Sequence, residues 1–160
     1  MLLLVVIQAS GTPEQTPARV YWGPLPSAEG FIRTNKEFED SYRDIRNQHK
    51  GDRDIQQVLQ LVDRWDEADV VLEIVDRGMR DTGIRSGSGA VIGTGVVGSS
   101  TPIRQKWLLA RLVVPGTDYV VELDGHAGIT LVNYRQQAQN ILRQTAEWVK
   151  ANRSALAKRR

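Results

Sequence analysis

The chain contains no cysteine. That excludes disulfides, thiolate metal sites, cysteine nucleophiles and lipid attachment through an amino-terminal cysteine. Histidine is almost as scarce: His49 and His126 are the two present, so any imidazole chemistry has two residues to draw on. Aromatic residues make up only 6% of the chain, and no apolar run approaches the ~20 residues needed to span a bilayer as a helix. Charge of one sign is lacking too. Twenty-one basic residues face nineteen acidic ones, a net charge of +2 that does not mark the body as a nucleic-acid or membrane-surface binder. At 160 residues the chain has the size of one domain and can bury a core without a staple.

What is present is organised around Val70–Val75, an apolar run broken only by Glu73. On a strand, Val70, Leu72 and Ile74 share one face and Val71, Glu73 and Val75 the other. Both faces are apolar or nearly so, which places the strand inside a sheet. Glu73 needs a partner there, and Arg111 on a later strand is the candidate.

The rest falls around that strand. Leu2–Ile7 is a short apolar run followed by Gln8, Ala9 and a Gly/Pro-containing polar stretch over Ser10–Ala18. The pattern reads as the end of an export signal with a cut after Ala9, then a spacer. A buried first strand is the alternative. Arg19–Trp22 is a strand ended by Gly23, Pro24 and Pro26. Thr34 and Glu37 fit a capping box for a helix whose stripe is Phe38, Tyr42, Ile45 and His49, with Gly51 as a left-handed stop. Asp52 and Asp54 suit a turn before a short strand at Leu59–Asp63, and Asp66–Ala68 a second turn. Arg80–Thr101 reads as a glycine-rich connector holding a loose strand at Ala90–Val97. Lys106–Val114, the turn Pro115–Asp118 and Tyr119–Leu123 form a hairpin. Tyr134, Ala138, Ile141, Leu142, Thr145, Trp148 and Val149 define a long amphipathic helix. The basic stretch after Asn152 is expected to fray. Burying every stripe at once calls for a two-layer α/β (α+β) sandwich, a mixed sheet of about five strands with two helices on one face. The expected divisions are 1–18 for signal remnant and spacer, 19–152 for a single domain, and 153–160 for a basic tail.

Chemistry-bearing patterns are few. Gly93–Gly98 matches G-x-G-x-x-G, but Pro102 and a strand follow where a helix amino terminus must stand to hold a pyrophosphate. Glu122, Asp124 and His126 alternate and can present two carboxylates and an imidazole to a divalent ion. Asp76, Arg77 and Arg80 follow the central run, where α/β folds keep ligands, and form a candidate polar site. The last stretch, Arg143–Arg160, carries six cations against Glu147 and reads as a solvated face more than a phosphate contact. No triad spacing is present, no cofactor is expected, and a non-catalytic role is favoured over an enzyme.

Leu61-Val62-Asp63 followed by Glu67-Ala68-Asp69-Val70-Val71-Leu72-Glu73 resembles a passage of certain bacterial cell-envelope α/β domains. These include the amino-terminal domain of the Tol–Pal translocation protein and the curli-secretion lipoprotein. The order of elements over Arg19–Asn152 is similar as well, although the glycine-rich insert and the missing lipidated cysteine depart from it. The resemblance implies an exported, periplasmic or secreted binding or assembly module whose partner is another envelope protein and not nucleic acid. The alternatives are a cytoplasmic protein, and a small metal-dependent hydrolase using Glu122, Asp124 and His126.

Overall fold

The computed structural model describes residues 16–27, 30–31, 36–92, 95–125 and 133–158. In chain order the elements are β1 (Ala18–Trp22), β2 (Pro26–Ser27), β3 (Gly30–Phe31), α1 (Lys36–Gly51), α2 (Arg53–Gln56) and β4 (Leu59–Val62). A 3-10 turn at Trp65–Glu67 leads to β5 (Val70–Ile92), β6 (Gly95–Val113), β7 (Val120–Asp124) and α3 (Tyr134–Ala157). Five strands form one sheet in the order β4-β1-β5-β6-β7, and β2 and β3 pair as a small ribbon. β1 runs parallel to both β4 and β5, while β5, β6 and β7 are antiparallel, so the sheet is mixed. This is the expected α/β layout, with β5 in the middle.

Alternation explains the core. Ala18, Val20 and Trp22 of β1, Val70, Leu72 and Ile74 of β5, and Leu108, Ala110 and Leu112 of β6 point to one face. Tyr42 and Ile45 of α1, Ile55 of α2, and Ala138, Ile141, Leu142 and Val149 of α3 cover it. Asp69 fastens the entry to β5. Its carboxylate accepts the Arg19 backbone N–H at 2.8 Å and the guanidinium at 2.9 Å, and its own N–H donates to Arg19 O at 2.8 Å. The carboxylate holds the Arg19 proton above the ordinary arginine range, mainly through that side-chain hydrogen bond.

Several boundaries differ from the sequence reading, each for a local reason. β5 does not stop at Val75, and the glycine-rich connector is not a connector. Val70–Ile92 and Gly95–Val113 pair along their length as one antiparallel hairpin, so Lys106–Val114 is only the inner end of a longer strand. Two register shifts, between Ile74 and Asp76 and between Asp81 and Arg85, interrupt the ladder. The Asp52 turn is the cap of α2, its carboxylate accepting the Ile55 N–H at 3.2 Å. α1 ends at Gly51 without a left-handed residue; among the described residues positive φ occurs only at Gly116 (73°), in the β6–β7 turn. The Thr34 cap lies outside the described residues. α3 starts with a full capping box between Asn133 and Gln136. It then runs past Asn152 to Ala157 because Leu156 reaches the core cluster. The expected frayed tail at 153–160 is therefore helical through Ala157.

Leu156 tests that correction. Leu156→Ala should cost about 2 kcal/mol in urea unfolding and remove helical circular dichroism from the last turn. A free tail would leave both unchanged.

Candidate functional site

Asp76, Arg77 and Arg80 lie inside β5, where the hairpin leaves the sheet. The first register shift makes Val75 an extra residue, 42% exposed, and flips the alternation beyond it. Arg77 thus turns to the helices. Its guanidinium donates to Glu37 O at 2.6 Å and to Ser41 Oγ at 2.7 Å, and stacks 3.8 Å from the centroid of Tyr134. The Tyr134 hydroxyl donates to Gly78 O at 2.9 Å, and Gln137 Nε2 to Lys106 O at 2.6 Å. Asp76 and Arg80 face the other way, 3.6 Å apart, with Arg80 stacked 3.3 Å from the Trp107 ring centroid. The three residues predicted as one polar site are therefore split between two faces. Together they clamp the root of the hairpin from both faces.

Polar side chains converge three residues inward along β5, at Glu73. Glu73, 3% exposed, receives Arg111 Nε at 2.5 Å from directly across on β6, and the Leu25 backbone N–H at 3.3 Å. β1 has ended by this level, so the Ile74 N–H finds no strand and donates instead to the Tyr42 hydroxyl at 3.0 Å. Burial pushes the Tyr42 hydroxyl up to about 12, although the Ile74 hydrogen bond acts in the opposite direction. Pro24, Phe38, Tyr42, Glu73, Val75 and Arg111 surround a cleft of about 210 Å³. The Glu73–Arg111 pairing was legible from the sequence. Tyr42 was legible only as part of a helix stripe, because nothing local marks where a tyrosine hydroxyl ends.

Glu122 and Asp124 share a face of β7, Glu122 lies across from Arg111, and His126 falls outside the described residues. Among the described residues no three His, Asp or Glu side chains gather as a metal site. Gly95–Gly98 of the glycine motif belong to β6, and Gly93 and Thr94 are outside the described residues. Arg143, Lys150 and Arg153 ride on α3. Among the described residues no helix is long and apolar enough to cross a membrane. The chain matches no protein-family model and no curated protein.

Because the folded state holds the Tyr42 proton more tightly than the ordinary value of 10.0, the unfolded chain ionises first as pH rises. The Tyr42 contribution is complete below pH 10 and is lost toward 12. In urea unfolding between pH 9 and 12, Tyr42→Phe should flatten the fall in stability by on the order of 1–2 kcal/mol. Parallel curves for the two proteins would refute the assignment.

Proposed function

We propose that the protein is an exported, non-catalytic binding or assembly module of the bacterial cell envelope, and that the β5–β6 hairpin is the part that engages its partner. The hairpin is the observation that carries this reading. From Asp76 to Ile92 it is roughly 50 Å long at about 3.3 Å per residue. β1 pairs with β5 no further than Leu72, and β7 with β6 no further than Leu109. Beyond those points, among the described residues, no third strand pairs with either edge. An isolated two-stranded ribbon is marginal in water, and unpaired strand edges are templates for further strands. The segment Gly83–Ser100 carries one charge, Arg85, and no proline, so its sequence does little to blunt those edges. A long ribbon whose outer edges pair with no described strand, on a well-packed body, suits strand addition to another protein.

Export is supported by the Leu2–Ile7 run and the spacer after it. The envelope setting is supported by the resemblance in Leu61–Glu73 and in element order. The hydrolase reading rests on Glu122, Asp124 and His126 alone, and His126 lies outside the described residues.

Replacing Gly83–Ser100 by an Asn-Gly turn should leave the body folded, with urea midpoint within error of the parent, yet abolish cross-linking to any partner in envelope extracts. Undiminished cross-linking would refute the role of the hairpin. Amino-terminal sequencing of protein from its native cells should begin after Ala9; a start at Met1 would refute export.

A further inference from the structure

The cleft beside β5 holds more hydrogen-bonding capacity than its surroundings use. Arg111 Nε is engaged by Glu73, while the two terminal guanidinium nitrogens have no acceptor among the described residues. The Tyr42 oxygen takes the Ile74 N–H, but no described residue accepts the Tyr42 proton, although the side chain is only 5% exposed. An ionised carboxylate offers about four acceptor directions, and the described donors to Glu73 are Arg111 and Leu25. Phe38, Pro24 and Val75 supply apolar walls.

Charge decides what fits. Glu73 neutralises Arg111, and Glu122 sits across from Arg111 on β7, so a free anion meets no net positive field. A cation would compete with Arg111 for Glu73. A neutral group with one acceptor, one donor and a small apolar end matches all three wall chemistries, and the commonest such group is a secondary amide. We propose that the cleft binds a secondary amide, with its carbonyl oxygen on Tyr42 and Arg111, its N–H toward Glu73 and its alkyl end against Phe38 and Pro24. At about 210 Å³ the cleft is below the ~300–1,000 Å³ of sites that enclose a whole ligand, so it takes this group and leaves the remainder outside. An N-acetylated sugar and a peptide bond both present the group. The assignment does not depend on the role of the hairpin.

The test is a titration of the ¹⁵N-labelled full chain with N-acetylglucosamine and, separately, with N-acetylalanine methylamide, with glucose and acetate as controls. Saturable shifts of the Ile74 amide and Arg111 Nε resonances are expected with one or both amides by about 50 mM, and not with the controls. Tyr42→Phe should weaken binding about threefold to tenfold. Should that variant lose its fold, Val75→Phe, at an exposed wall position, narrows the cleft without touching the ion pair and should weaken binding likewise. A response to the sugar alone identifies an N-acetyl sugar, and a response to the dipeptide mimic alone identifies peptide backbone. Absence of shifts with both amides, equal shifts with glucose or acetate, or unchanged affinity in folded variants would overturn the proposal.

Discussion

A strand covered on both faces has nowhere to hide a charge, and β5 carries Glu73 in its inner, buried stretch beside Val71, Leu72 and Ile74. Stripping water from a lone carboxylate costs several kcal/mol even after relaxation, so the fold must supply a cation and donors at that position. It supplies Arg111 from the neighbouring strand and the Leu25 N–H from the segment after β1. Those two contacts do more than neutralise. A slip of β6 by one residue would bring an apolar side chain opposite Glu73, so the ion pair fixes the β5–β6 register where the hydrophobic pattern alone is permissive. The Leu25 contact draws the chain leaving β1 toward that residue. The cleft exists because β1 ends at this level while β5 continues.

The continuation of β5 is also why half of the architecture was readable in the sequence and half was not. Val70, Leu72 and Ile74, Leu108, Ala110 and Leu112, and the Ala138, Ile141, Leu142 and Val149 stripe are signalled by side chains that must be buried, and the structure buries them. The Pro115–Asp118 turn is signalled by residues that only a turn accommodates, with Gly116 at φ 73°. The outer part of the hairpin has no such signal. Its strands pair through a backbone hydrogen-bond ladder, which leaves little trace in a glycine- and serine-rich sequence. Leu156 was missed for a related reason: a single apolar residue among charges does not make a stripe, yet one contact with the core suffices to extend a helix already formed.

Asp76, Arg77 and Arg80 show a different limit. Their spacing in the chain suggested one polar site, and a single extra residue at Val75 divided them between two faces. A bulge is a property of the pairing of two strands, so neither strand alone announces it. Once divided, the residues take up work that their chemistry explains. Arg77 needs several acceptors and an aromatic face, and the first turns of α1 and Tyr134 at the start of α3 provide them. Arg80 covers Trp107 on the opposite side. The root of the hairpin is gripped from both faces.

That grip has a consequence for how body and hairpin relate. A ribbon joined to a sheet only through two strands would swing about the bulge. Here Arg77, Tyr134 and Gln137 tie the level of Gly78 and Lys106 to two helices that are themselves anchored in the core. Flexing at the root would break the two charge-assisted hydrogen bonds of Arg77 and the part-buried ones of Tyr134 and Gln137 together. The second register shift, between Asp81 and Arg85, lies beyond the last of these contacts. Reorientation of the outer ribbon is therefore least costly at that shift, which lies on the far side of these contacts from Glu73. The two candidate interaction elements are continuous through β5, with the contacts of Arg77, Tyr134 and Gln137 set between them.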